Sequence, residues 1–130
     1  MTTQPPQVNW TGLSGNRYDF YVYDLSTAFY PIPGIYIFGR WTQVNGVTLP
    51  EALYVGEAKS LEDRLNTNRA SHDGFKRATR AGMTFIAAMR APADDAQRLR
   101  IETDLRHKLN PSCNAEPLPA KKTLADFYKV

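Results

Sequence analysis

The chain has 130 residues, of which 42% are hydrophobic and 22% are charged. These values are typical of a single globular domain, and no apolar run approaches the ~20 residues that a membrane-spanning helix requires. Cys113 is the only cysteine, which excludes an intrachain disulfide and a zinc site built from several thiolates. Residues 1–7 lack the basic-then-apolar order of a signal peptide, so we expect a cytoplasmic protein with no membrane partner.

The net charge of +3 comes from the second part of the chain. Residues 1–56 contain two basic and three acidic residues, whereas residues 57–130 contain 14 basic and ten acidic ones. Lys76, Arg77 and Arg80 form one of the densest basic clusters. A basic surplus is compatible with a polyanionic partner such as DNA, although solvated helix faces explain such a cluster equally well.

The first half of the chain contains the patterns of three strands. Residues 1–17 carry few apolar side chains and several turn formers, which favour a flexible arm. Tyr18–Tyr23, Gly34–Phe38 and Ala52–Gly56 are short runs rich in aromatic and β-branched residues, which favour strands. The dipeptide Asn45-Gly46 is typical of a tight hairpin turn, so the second and third of these strands are expected to be antiparallel neighbours.

The second half is predicted to contain helices and one more strand. Two helices, a strand and a long helix are expected, in this order, over Ser60–Asn68, Asp73–Arg80, Met83–Met89 and from Asp94 or Asp95 to Leu109. Lys121–Val130 is compatible with a short terminal helix. The pattern predicts an α+β fold in which a small central antiparallel sheet of about three strands is flanked by helices, with an extra N-terminal strand or arm. We expect residues 18–130 to form one domain.

Glu102 interrupts an apolar stripe on the long helix. Leu99, Glu102 and Leu105 recur at helical spacing and are predicted to share one inward face. A core-facing carboxylate is costly unless it is paired or binds a cation, and Mg²⁺ prefers one or two carboxylates with waters and phosphate oxygens. The carboxylate is therefore a candidate metal ligand, but it can equally rotate outward or pair with Arg98 or Arg106.

Two tyrosines lie beside glycines on the strands that the hairpin joins. The segments are Gly34-Ile35-Tyr36 and Tyr54-Val55-Gly56. Glycine inside a strand often marks the close approach of a ligand or of another backbone, while two aromatic core residues explain the pattern as well. Arg64 follows on the next helix, where its planar guanidinium group is suited to binding a phosphate.

In combination these residues resemble the GIY-YIG nuclease family. The resemblance covers residues 32–114 and consists of Gly34-Ile35-Tyr36, Tyr54-Val55-Gly56, Arg64, Glu102 and, after Leu109-Asn110-Pro111, Asn114. It implies a GIY-YIG-like fold and a DNA endonuclease that uses a divalent ion, usually Mg²⁺ with Mn²⁺ as a substitute. The stretch from Leu53 to Arg64 is similar to the form found in excision-repair and homing endonuclease domains, which implies a repair, phage or mobile-element setting.

The resemblance also implies roles for individual residues. Glu102 would bind the metal, Arg64 would contact the scissile phosphate, and Tyr36 and Tyr54 would position and activate the attacking water. His72 would assist proton transfer, while Gly34, Gly56 and Asn114 would support the site. Lys59, Lys76, Arg77 and Arg80 would contact the DNA.

Glu57 departs from the repair-enzyme pattern, in which lysine commonly follows the second glycine-containing motif. A carboxylate there disfavours a tyrosinate, and Lys59 is close enough in sequence to compensate. The alternatives are a catalytically weak nucleic-acid-binding module and a protein-interaction module that reuses the fold. Because few residues lie outside the motif core, we expect low sequence specificity or a structural DNA substrate, a targeting protein as a further partner, and a monomer or weak dimer.

Overall fold

Five strands pair into one antiparallel sheet in a computed structural model that describes residues 4–114. The strands are β1 (Gln7–Thr11), β2 (Arg17–Tyr23), β3 (Gly34–Val44), β4 (Val47–Ala58) and β5 (Phe85–Arg90). They lie in the order β1-β2-β5-β3-β4. Two helices, α1 (Asp73–Arg80) and α2 (Asp95–Leu109), pack against the sheet. The α+β prediction is confirmed, but the sheet has more strands than the three expected.

The N-terminal segment forms a strand, where the sequence analysis expected either a strand or an arm. The prediction of a flexible arm is wrong for Gln7–Thr11, which pairs with β2 along its whole length. Trp10 is buried and packs edge-on against Phe20, with ring centroids 5.5 Å apart. An edge strand needs few inward side chains, so its alternating pattern is too weak to distinguish from an irregular arm.

The hairpin between β3 and β4 forms as predicted. Asn45 and Gly46 both have positive φ angles, 52° and 78°, which are required by the tightest hairpin turns. The paired residues run from Gly34 opposite Ala58 to Val44 opposite Val47, so both strands are longer than predicted.

The two faces of the sheet are packed against different parts of the chain. Tyr36, Phe38 and Tyr54 belong to one apolar cluster with the segment that begins at Leu61 and continues through α1. Side chains alternate along a strand, so Ile35, Ile37 and Val55 point to the other face, where Leu105 of α2 covers them. The paired tyrosines therefore lie on the face opposite α2.

The chain between β4 and α1 is not the regular helix predicted over residues 60–68. A π-helical turn spans Asp63–Thr67 and a 3₁₀ turn spans Arg69–Ser71. The Asn68 amide donates to the carbonyl of Asp63 at 2.8 Å, a five-residue step that widens the turn. Leu61 and Leu65 are nevertheless buried, as their spacing predicted.

Both predicted helices beyond this turn are confirmed. The carboxylate of Asp94 caps α2 by accepting from the Gln97 amide at 2.8 Å. The inward stripe of α2 is rotated from the predicted one, since Leu99 is 54% exposed whereas Arg98 is 2% exposed.

The predicted helix over residues 121–130 lies outside the described residues. Within residues 4–114, neither helix has the length and apolar composition needed to cross a bilayer.

Candidate functional site

A hydrogen-bonded cluster forms around the hydroxyl of Tyr36. His72 Nε2 lies 2.7 Å from Tyr36 Oη, and Arg64 Nε donates to the same oxygen at 3.2 Å. Tyr36 and His72 are each 1% exposed, and Arg64 is half-buried. The structure therefore brings together three of the predicted site residues from β3, the π-helical turn and the residue before α1.

Tyr54 completes the cluster through ring packing. Its ring stacks on that of Tyr36 with centroids 6.1 Å apart and an interplanar angle of 22°. The His72 ring meets the Tyr54 ring edge-on at 5.2 Å. Because these rings hold one another in the core, the polar atoms of the cluster have little freedom to move.

Three glycines make room for the cluster. A Cβ atom at Gly56 would overlap the ring and hydroxyl of Tyr36, and one at Gly74 would overlap the ring of Tyr54. A Cβ at Gly34 would lie 2.7 Å from a methyl group of Leu61. The supporting role predicted for Gly34 and Gly56 thus has a steric basis in the close approach of neighbouring side chains. Gly74 was missed, since its importance depends on which ring packs against α1.

The position of His72 determines where its ring proton lies. His72 precedes α1, and its Nδ1 atom accepts a hydrogen bond from the Phe75 amide at 3.2 Å. That bond occupies the Nδ1 lone pair, so the proton of the neutral ring is on Nε2 and is donated to Tyr36. The Tyr36 oxygen accordingly accepts from both His72 and Arg64.

Burial controls the ionisation of Tyr36. Desolvation, reinforced by the proximity of Tyr54, raises the pKa of Tyr36 well above its usual value, and the Arg64 guanidinium only partly offsets this. Tyr36 is therefore a neutral phenol at neutral pH. Any negative charge that develops on its oxygen would be stabilised by the two N–H donors already in place.

Arg64 opens onto a surface depression of about 700 Å³. We call it the Arg64 depression; its lining includes Glu57, Lys59, Asp63, Arg64, Asn68, Ser71, Asp95 and Arg98. Its three cationic and three anionic side chains balance one another at neutral pH. Within the described part of the chain, the concave surface next to Tyr36 is thus close to neutral overall.

The departure at Glu57 is compensated within this depression. Arg98 Nε donates to Glu57 at 2.7 Å, and Arg98 Nη2 donates to Asp95 at 2.5 Å. Two carbonyls, of Pro92 and Ala93, accept from Arg98 Nη1. These bonds explain why an arginine occupies the inward face of α2, and they neutralise the charge that Glu57 brings beside Gly56.

Glu102 lies one helical turn beyond Arg98. Its side chain is 13% exposed and accepts from Arg106 Nη1 at 3.2 Å, which is one of the pairings that the sequence left open. Residues 4–114 contain no group of three or more His, Cys, Asp or Glu side chains arranged to hold a metal ion. Glu102 is not among the residues that line the Arg64 depression, and its role as a metal ligand stays a prediction; a single carboxylate would suit an ion such as Mg²⁺, which completes its shell with water and phosphate oxygens.

Asn114 fastens the chain end to β4. Its side-chain oxygen accepts from the Val55 amide and its amide nitrogen donates to the Val55 carbonyl, both at 2.9 Å. These paired bonds hold the edge strand between Tyr54 and Gly56, and the predicted supporting role of Asn114 at a reaction site stays a prediction.

The predicted DNA-contacting residues have separate environments. Lys59 lies 3.7 Å from Asp95, and Lys76 lies 3.9 Å from Asp73. Arg77 turns inward and donates to the Cys113 carbonyl at 2.8 Å, whereas Arg80 is exposed at the end of α1. A role in DNA binding stays a prediction for all four.

The chain is similar in structure to three solved mutants of the N-terminal endonuclease domain of UvrC from Thermotoga maritima, each bound to its catalytic divalent cation. Those structures are GIY-YIG domains. Two of them carry a tyrosine-to-phenylalanine change. Each of these two matches this chain with a TM-score of 0.48 and 22% sequence identity, and the match covers 66% of this chain and 86% of the UvrC domain. An asparagine-to-alanine mutant has a TM-score of 0.47 and 22% identity over 65% and 84%. Neither the known family models nor the curated proteins give a match. The similarity of this chain to GIY-YIG domains is therefore a similarity of fold.

Proposed function

We propose that this protein is a divalent-metal-dependent endonuclease that hydrolyses phosphodiester bonds in DNA. The observation that carries the proposal is the convergence of Arg64 and His72 on the oxygen of Tyr36, beside an open depression. Phosphodiester hydrolysis needs an activated water and fixed positive charge at the phosphate. A guanidinium group oriented by a buried tyrosine meets the second requirement.

Arg64 is the residue that binds the scissile phosphate. Its Nε atom donates to Tyr36, and its guanidinium group lines the Arg64 depression, where it can contact phosphate oxygens. Orientation by Tyr36 reduces the conformational freedom that Arg64 would otherwise lose on binding. The fixed charge then stabilises the developing negative charge of the pentacoordinate phosphate.

The two tyrosines have different parts in this scheme. Both acceptor positions of Tyr36 Oη are used by Arg64 and His72, so we assign Tyr36 to positioning. Tyr54 is assigned the contact with the attacking water. His72 fixes the hydroxyl of Tyr36, and because its Nδ1 lone pair already accepts from the Phe75 amide, we do not assign it the proton transfer expected from the sequence.

Glu102 is assigned the metal. A Mg²⁺ ion, or Mn²⁺ as a substitute, would supply Lewis-acid stabilisation of the phosphate when bound. Glu102 is half-buried one helical turn beyond Arg98, which lines the Arg64 depression, and its carboxylate accepts a hydrogen bond from Arg106. Asn114 keeps the neighbouring strand in place through Val55.

The DNA strand is held by basic side chains. Lys59 belongs to the Arg64 depression, and Lys76, Arg77 and Arg80 lie on α1. A DNA with an unusual structure, such as a flap, branch or damaged site, is the proposed substrate, with a targeting protein as a further partner. The setting that we propose is cytoplasmic DNA repair, or a phage or mobile element, with the protein acting as a monomer or weak dimer.

The test is a cleavage assay with the purified full chain. Supercoiled plasmid, branched DNA and single-stranded DNA are incubated with Mg²⁺, with Mn²⁺ and with EDTA. We expect metal-dependent nicking that is lost in Glu102→Ala and Arg64→Ala. The matched controls Glu62→Ala and Arg100→Ala change exposed residues of the same types and should cut normally.

The same assay separates the alternatives. DNA binding without cutting, unchanged by metal, would support a catalytically weak nucleic-acid-binding module. A protein that neither binds nor cuts any of the three DNA forms would leave an interaction module that reuses the fold.

A further inference from the structure

A second depression is separated from the Arg64 depression by a ridge formed from one segment of the chain. Residues 64–71 form the ridge, with Asn68 and Ser71 facing the Arg64 depression. The second hollow, of about 590 Å³, is lined by Asn66, Thr67, Arg69, Ala70, Phe75, Lys76 and Thr79. We call it the Arg69 depression. A DNA strand that crosses Arg64 and continues over the ridge would enter the Arg69 depression.

The two depressions differ in charge. The lining of the Arg64 depression balances its cations against its acids, whereas that of the Arg69 depression contains Arg69 and Lys76 and no acidic side chain. Lys76 pairs with Asp73, with Nζ 3.9 Å from the carboxylate oxygen. Both side chains are more than half exposed. Such an exposed pair is weak, so Lys76 remains available to a phosphate. The Arg69 depression is thus the more favourable of the two for a polyanion.

Arg69 also has unused hydrogen-bonding capacity. Its Nε donates to the Leu65 carbonyl at 2.9 Å, and its guanidinium carbon lies 4.7 Å from the centre of the Phe75 ring. In the described part of the chain, Nη2 is buried without a hydrogen-bond partner. An unsatisfied donor on a charged group raises the free energy of the unbound protein, and an incoming phosphate oxygen would relieve this.

We propose that the Arg69 depression binds the backbone of the DNA strand next to the scissile phosphate, an inference that rests on the proposed function. Arg69 moves off the Phe75 ring to contact a phosphate, and Lys76 contacts a second phosphate. The ring of Phe75 then supports the sugar or base between them. Most of the affinity for DNA comes from this depression, while the Arg64 depression supplies the chemistry.

The first test removes both charges. Binding of the full chain to labelled single-stranded DNA is measured by fluorescence anisotropy in EDTA over a range of salt concentrations. Each phosphate contact on a single strand contributes an exponent of about 0.7, or about fivefold in affinity near 0.1 M salt. We therefore expect Arg69→Met with Lys76→Met to raise Kd about 25-fold and to lower the salt slope by about 1.4.

A matched pair controls for net charge. Arg100→Met with Lys108→Met removes two exposed cations from α2, which covers the other face of the sheet, and should leave the salt slope unchanged. Equal weakening by both pairs would overturn the proposal, because the binding would then depend on overall charge.

A gain-of-charge variant keeps Arg69 and Lys76 in place. Thr79 is exposed in the lining of the Arg69 depression, so Thr79→Arg should lower Kd about fivefold near 0.1 M salt. Gln97→Arg adds the same charge to an exposed position on α2 and should have a smaller effect. If Thr79→Arg raises the affinity for DNA no more than Gln97→Arg does, the proposal that the Arg69 depression binds DNA is refuted.

Cleavage data distinguish this inference from the proposed function. A wild-type protein that binds through Arg69 but never nicks would refute the nuclease and retain the subsite. A protein that nicks while the double variant binds normally would refute the subsite alone.

Discussion

The hydroxyl of Tyr36 and the Nε2 atom of His72 lie 2.7 Å apart in the interior of the protein. Tyr36 comes from β3, and His72 directly precedes α1, so this bond joins the sheet to the helix that covers it. Arg64 donates to the same oxygen from the π-helical turn between them. The Tyr36 oxygen therefore contributes both to the packing of the helix on the sheet and to the proposed phosphate site.

Removal of that oxygen should cost both stability and activity. In Tyr36→Phe the buried donors of His72 and Arg64 lose their acceptor, so we expect the free energy of unfolding to fall by about 1–3 kcal/mol. Urea unfolding measures this, with the exposed Tyr30→Phe as a control that should unfold like wild type. A Tyr36→Phe protein as stable as wild type would show that the shared oxygen contributes nothing.

Gly56 should be intolerant of even one methyl group. In Gly56→Ala the Cβ would overlap Tyr36, so either the ring moves away from His72 or the strand shifts, and nicking should be lost. Gly15→Ala is the matched control, because a Cβ there meets nothing within 4 Å, although its φ of +91° adds backbone strain. Gly15→Ala should therefore lose some stability while it retains nicking, and equal activity of the two variants would contradict the crowding around Tyr36.

The raised pKa of Tyr36 predicts a stability loss in alkali. Below about pH 10 the phenol is neutral in both folded and unfolded chains, and above it the unfolded chain ionises first. The free energy of unfolding should thus fall as the pH rises above about 10. Burial also raises the pKa of Tyr18 and Tyr23, so a slope remains in Tyr36→Phe. Urea titrations between about pH 8 and about pH 11 should give a shallower slope for Tyr36→Phe than for wild type, and identical slopes would contradict the burial effect.

Lysine at position 57 should harm this protein, although the repair enzymes that it resembles commonly have lysine there. Glu57 pairs with Arg98, whose side chain is almost fully buried, and a lysine would set two cations against each other. We expect Glu57→Lys to lower the free energy of unfolding by about 2 kcal/mol. The exposed Glu62→Lys should stay within about 0.5 kcal/mol of wild type in the same thermal or urea measurement. A stable and more active Glu57→Lys protein would mean that the Arg98 pair is dispensable.

Local signals predicted the elements that depend on local chemistry. The hairpin at Asn45-Gly46 and the start of α2 at Asp94 follow from positive φ angles and helix capping, and both are confirmed. Motif order also identified Tyr36, Arg64 and His72, which prove to be in contact.

Features that depend on distant partners were not predictable in the same way. Periodicity placed Leu99 inward, but the carbonyls of the loop before α2 and the carboxylate of Glu57 make Arg98 the inward residue. Gly74 and Arg69 carry no sequence signal of their own, because their roles depend on the rings of Tyr54 and Phe75.

The most direct test of the central claim is the single-turnover rate of plasmid nicking in Mg²⁺ with excess enzyme. Wild type and Arg100→Lys should nick at the same rate, since Arg100 is exposed on α2. Arg64→Lys retains the charge but loses the Nε contact with Tyr36, so its rate should fall by about 100-fold or more. Nicking by Arg64→Lys at the wild-type rate would contradict the claim that Tyr36 orients Arg64 for hydrolysis.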